Sequence, residues 1–166
     1  MYERYTEPIG LFKNGLGTFS KPISTTNREA QAFFDQGFQM MYSFAKPEAV
    51  RSFRESWKRD PTCAICYWGE AWAWGSYLNA PMTMEEAPYA YAAIQKAVSL
   101  RGGATPKEQA LIDAMAVRYV EKFEPAKRVD QDRAYADRMK LVADRYPDDL
   151  ERSEEHTSEL QSHHDL

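Results

Sequence analysis

Residues 30–74 read AQAFFDQGFQMMYSFAKPEAVRSFRESWKRDPTCAICYWGEAWAW. Phe33, Gly37 and Met40 set a large–small–large pattern, and Tyr67, Ala71 and Trp74 repeat it, each 34 residues later. Between the two copies stand Ala49, Phe53 and Pro61. The four-residue steps from Phe33 to Gly37 and from Ala49 to Phe53 put each pair on one face of a helix. A helical hairpin that short cannot bury its own apolar face, so it must stack on a neighbour.

Working outward, the chain reads as an irregular arm over residues 1–24 followed by six helices. Pro8, Gly10, Gly15, Gly17 and Pro22 interrupt the arm too often for a helix, and Phe12, Leu16 and Phe19 are candidates to anchor it. Thr26 and Glu29 have capping-box spacing, predicting a first helix from about Asn27 to Ser43. Pro47 opens a second, to about Arg59. Asp60-Pro61 opens a third, to about Leu78. Thr83 with Glu86 and then Ala87-Pro88 precede a fourth, ending near Leu100. Thr105-Pro106-Lys107-Glu108 combines cap, first-turn proline and box glutamate, starting a fifth helix that reaches about Phe123. The sixth runs from about Val129 to Tyr146. No segment sustains period-two alternation, so no strands are expected. Ala90, Ile94 and Ala97, then Tyr135, Met139 and Val142, repeat the spacing of Ala49 and Phe53.

The positions Phe33, Gly37, Met40, Ala49, Phe53 and Pro61 resemble the tetratricopeptide (TPR) pattern. The runs 30–37, 48–53 and 60–71 resemble the N-terminal part of a family of bacterial TPR proteins, over about residues 15–151. The resemblance implies an all-α stack of about three helical hairpins, an α-solenoid, that mediates protein–protein interaction and carries no known reaction. Many relatives have an Asn-His pair in the first hairpin turn. Ala45-Lys46 stands there here, so any role of that histidine does not carry over. Family members are typically longer and many look exported, and Tyr146-Pro147-Asp148-Asp149-Leu150-Glu151 looks like the lead into a further helix.

In TPR arrays the first helix of each hairpin lines the concave face. Gln31, Phe34, Phe38 and Met41 match those positions in the first unit, and Ile65, Trp68 and Trp72 in the second. Large rigid rings there suit a peptide ligand. The competing reading is that these side chains pack in the core, as most helical-period apolar stripes do. Trp72 is the strongest candidate for an exposed groove residue.

Cys63 and Cys66 lie on one face near a helix N-terminus, where the dipole favours thiolate. They could form a redox pair. A thioredoxin-like site needs a strand–helix context that is absent, and a zinc site needs two further ligands. Tyr67 follows Cys66 where a c-type haem site needs histidine. Two small residues packed between helices is the competing reading. Gly15-Leu16-Gly17 lacks the helix start of a phosphate loop. Glu55, Lys58, Arg59 and the charges from Arg128 to Arg145, Asp132 among them, read as solvated helix faces.

Arg152 to Ser162 is what one frame of a common short-read sequencing adapter encodes. Residues 152–166 are therefore read as an artefactual tail, the alternative being a real disordered one. That tail holds His156, His163 and His164, all three histidines of the chain, so Ser-His-Asp and Cys-His catalysis have no histidine within 1–151. It also holds four acids and one arginine, leaving 1–151 close to neutral. A near-neutral chain without a basic block argues against nucleic acid. No apolar run approaches the ~18 residues of a membrane span, and no signal peptide is visible. The default compartment is cytoplasmic, with the start of the chain open to extension.

The expectation is thus a non-enzymatic scaffold of residues 25–151 without cofactor or metal, binding a protein or peptide through Gln31, Phe34, Phe38, Met41, Trp68 and Trp72. The alternatives are a thiol redox module at Cys63 and Cys66, or an accessory region of a longer enzyme. An uncapped last hairpin is also expected to self-associate.

Overall fold

The structure, a computed structural model, describes residues 3–76 and 80–147, which form seven α-helices and no β-strand. The tail over 152–166 lies outside the described residues, as do its histidines. The first helix, α1 (Glu3–Thr6), is a single turn within the arm, where the sequence predicts irregular chain. One turn has too few hydrogen bonds to persist alone. Tertiary contact holds it: Tyr5 stacks on Trp74 at 5.0 Å, and Trp74 on Tyr89 at 4.9 Å.

Helix α2 (Arg28–Tyr42) is capped by Asn27, whose side-chain oxygen accepts from the N–H groups of Glu29 and Ala30, each at 3.0 Å. The expected Thr26 box loses to this carboxamide, a strong cap placed one residue closer to the helix. α2 ends through Phe44, which takes φ 56°, the left-handed closure usually given to glycine. Helix α3 (Lys46–Arg59) starts with Pro47 in its first turn.

The third predicted helix begins later than Asp60-Pro61. The Asp60 carboxylate accepts from the backbone N–H and hydroxyl of Thr62 and from the hydroxyl of Thr25. That side chain closes a turn, so helix α4 (Ala64–Trp74) starts behind Cys63. Helix α5 (Ala87–Leu100) begins at the expected place, and Thr83 and Glu86 exchange box-type hydrogen bonds just ahead of it. Helix α6 (Pro106–Ala116) carries the full Thr105–Glu108 capping box. It ends at Ala116 instead of running to Phe123, because Arg118, Tyr119 and Phe123 turn inward and are buried. Helix α7 (Arg128–Arg145) closes the described chain.

Each helix from α2 to α7 packs on the next, and α4 also touches both α2 and α6. Thus α4 stands between α2 and α6, while α3, α5 and α7 make no contact with one another among the described residues. Phe53 of α3 is the wedge of the first turn of this arrangement. It is 0% exposed, and a Cβ added to Gly37 of α2 or Gly69 of α4 would run into its ring. The small residues therefore let two helices close on one ring.

Two charged residues read as solvated are in fact buried. Asp132 is paired with Arg118 and Arg128. Glu55 is paired with Lys58 and Arg59. Burial pushes the Glu55 carboxyl up, but the hydrogen bonds and charges of Lys58 and Arg59 outweigh it and hold it below its ordinary 4.5. A carboxylate with a depressed folded pKa stabilises fully above its unfolded value, and the contribution fades as pH falls through the folded value. Thermal unfolding from pH 7 to pH 3 should therefore show Glu55→Gln less stable at neutrality and converging on wild type in acid. Parallel curves would show that the carboxylate charge contributes nothing.

Candidate functional site

Helix α2 carries two parallel stripes, and α4 adds rings beside the first. On α2, Phe34, Phe38 and Tyr42 follow one another at four-residue steps, and so do Gln31, Asp35 and Gln39 beside them. On α4, Trp68 and Trp72 keep the same step. The rings meet across the two helices. Phe38 lies 5.2 Å from Trp72, Tyr42 lies 6.3 Å from Trp72, and Trp68 stacks on Trp72 at 5.6 Å.

Burial divides the predicted groove residues. Phe34, Phe38, Met41, Ile65 and Trp68 are buried, whereas Gln31 and Trp72 are half-buried. Phe34 turns edge-on to Phe53 at 5.3 Å, toward α3. The Trp68 indole N–H is buried with no acceptor among the described residues. Tyr42 is exposed, so Tyr42 and Trp72 present the open part of the ring cluster.

The arm accounts for much of the rest. Phe19 stacks on Phe38 at 5.5 Å, and the Lys21 ammonium sits 5.0 Å from the centre of the same ring. Asp35 accepts from the Ser20 hydroxyl at 2.6 Å and from the Lys21 N–H at 2.9 Å. Gln31 accepts from the Ile23 N–H and donates to the Lys21 carbonyl, while Gln39 donates to the Phe19 carbonyl. Beyond that, the Ser24 N–H reaches Glu108 at the start of α6. Sequence reasoning picked Phe19 as an anchor but missed Asp35, Gln39 and Tyr42. The signal was present in the four-residue steps from Gln31 to Asp35 to Gln39.

Arm and α2 leave an open cleft of about 400 Å³, with Leu16, Phe19, Phe38 and Tyr42 among its walls. A second groove of about 320 Å³ runs between α6 and α7, where Ala110, Ala114 and Val142 meet the 62%-exposed Leu141. This is the last-hairpin face on which self-association was expected.

Cys63 and Cys66 are joined as a disulfide at the start of α4. They are 2% and 0% exposed. The Ser56 hydroxyl lies 3.1 Å from the Cys66 sulfur and 2.7 Å from the Ala30 carbonyl, to which it donates. Reagents in solvent therefore have no direct path to the sulfurs. Among the described residues no cluster of three metal-ligating side chains occurs, and no helix is long and apolar enough to cross a membrane.

Lys46, the first residue of α3, is also committed to the interior. It pairs with Glu86 at 2.7 Å and donates to the carbonyls of Trp74 and Gly75. Burial lowers its pKa more than the Glu86 carboxylate raises it. It ties the ends of α3, α4 and α5 together.

Protein-family models, curated proteins and solved structures yield no match to this chain.

Proposed function

We propose that this protein is a non-enzymatic scaffold of TPR-type hairpins that binds a peptide segment of a partner protein on the face of α2 and α4. The 34-residue spacing, the packing of each helix on the next and the contacts of α4 with both α2 and α6 support the TPR-type arrangement. The observation that carries the binding reading is the half-open ring cluster of Tyr42 and Trp72 beside a 400 Å³ cleft. Rings that are rigid and partly exposed offer area to a ligand at low entropic cost.

The test is a selection of displayed peptides on the full chain, followed by affinity measurement on Trp72→Ala. Selected peptides should lose at least about tenfold in affinity, the size of a ring truncated in a binding hot spot, while the helical circular-dichroism signal is retained. Selected peptides that bind both chains equally would remove this face as the site. Trp72 also touches Phe53 and Phe38, so collapse of the thermal transition in Trp72→Ala would assign it to the core instead.

The redox reading rests on one observation, the bonded Cys63–Cys66 pair. Its burial makes it the weaker of the two, since exchange needs an attacking thiolate to reach a sulfur.

A further inference from the structure

We infer that the stripe Gln31–Asp35–Gln39 on α2 is a reader of extended main chain, and that residues 19–23 of the arm are a built-in occupant that an external segment of the same chemistry displaces. This deepens the scaffold proposal and rests on it.

The geometry starts from two repeats. Steps of four residues along an α-helix advance about 6 Å, and steps of two along an extended chain advance about 6.6 Å. A helix stripe at four-residue steps can therefore meet every second residue of an extended segment. That is the pattern observed. Gln39 donates to the carbonyl of Phe19, Asp35 accepts from the N–H of Lys21, Gln31 donates to the Lys21 carbonyl, and Gln31 accepts from the N–H of Ile23. The segment runs antiparallel to α2, and all four contacts go to main-chain atoms of alternate residues.

Main-chain contacts hold any extended segment, so side chains must select it. Three do so here: the Ser20 hydroxyl donates to Asp35, and two side chains meet Phe38. Phe19 stacks on its ring, and the Lys21 ammonium sits at 5.0 Å from its centre. The site thus fits an aromatic residue followed two positions later by a basic one. The arm fills it incompletely: Phe19 stays 43% exposed, and the cleft toward Tyr42 remains open beside it. A partner with more apolar area at that end gains contacts the arm does not make.

The arm holds its place by tethering. Residue 23 is only a few positions from the start of α2, so the arm competes at an effective concentration in the millimolar range. Occupancy by the arm lowers the fraction of competent sites and raises the apparent Kd of a partner in proportion.

The experiment uses the full chain and a labelled peptide of residues 17–25. Lys21→Pro in the chain removes the arm's N–H to Asp35 and its cation over Phe38, and leaves every groove residue in place. The peptide should bind the Lys21→Pro chain at least about tenfold more tightly than wild type. Asp35→Ala added to that chain should abolish the gain. Equal affinity for wild type and Lys21→Pro would overturn the built-in occupant. Absence of binding to either, while selected peptides still depend on Trp72, would overturn the main-chain reader and leave the scaffold proposal standing. If neither the peptide nor Trp72 dependence is found, both fall.

Discussion

Phe53→Ala is expected to lower the unfolding free energy by about 3–5 kcal/mol, a large part of the roughly 5–15 kcal/mol that holds a domain folded. The ring is 0% exposed and stands between Gly37 and Gly69. Neither glycine has a side chain to fall into the space, which leaves only the rings of Phe34 and Trp72 beside it to relax. The matching test adds matter instead of removing it. In a helix interior, glycine to alanine ordinarily gains about 0.8–1.0 kcal/mol. Gly69→Ala should reverse that sign and cost about 1–3 kcal/mol, because its new Cβ meets the Phe53 ring and overpacks the site. Shrinking the ring relieves the clash, so Gly69→Ala should cost less in a Phe53→Leu background. Denaturant unfolding of the four chains gives the coupling. Additive effects would show that Phe53 does not sit between the helices as described.

The same contact explains what sequence reading could and could not reach. Phe53 and Gly37 stand out because they fall on a repeat, and a repeat is a local pattern. Thr105-Pro106-Lys107-Glu108 marks the start of α6 because cap, proline and glutamate act within one turn. Helix ends depend on distant partners and are less legible. Apolar residues recur at Val117, Tyr119, Val120 and Phe123, yet the chain leaves the helix so that Arg118 can reach Asp132 on α7. Glu55 reads as surface because its charge suggests water, and only the positions of Lys58 and Arg59 reveal a buried acceptor.

The candidate site was half legible for a related reason. A ring stripe at helical period is visible in Phe34, Phe38, Trp68 and Trp72, but the stripe alone does not say which rings stay open. Burial of Phe34 and Trp68 follows from neighbouring helices, and cover over Phe38 follows from Phe19. The arm's grip on α2 is mainly through main-chain atoms, which leave no mark in the arm's own residue types. What could have been seen is the complementary half, the amides and carboxylate of Gln31, Asp35 and Gln39 on one stripe.

Asp132→Ala is the second large effect expected, at about 3–5 kcal/mol. Its carboxylate lies 3.2 Å from Arg118 Nε and 2.8 Å from Arg128 Nε, and the Arg118 side chain is only 3% exposed. The Arg118 guanidinium also lies 4.7 Å from the centre of the Tyr135 ring, so it is held against α7 and cannot simply turn to water. Removing the carboxylate leaves that cation in a dry site facing less negative charge, and breaking a buried pair from one side costs far more than the pair contributes. An ordering is expected as well as a size. Arg118→Met combined with Asp132→Leu removes both charges and should be markedly more stable than Asp132→Ala alone. Arg128→Ala removes the outer, partly solvated partner and should cost about 1 kcal/mol or less. Chemical unfolding of the three chains checks the order. An Asp132→Ala chain as stable as Arg128→Ala would mean that water or another anion satisfies Arg118. The pairing of α6 with α7 would then rest on the apolar contacts of Tyr135, Met139 and Val142 instead.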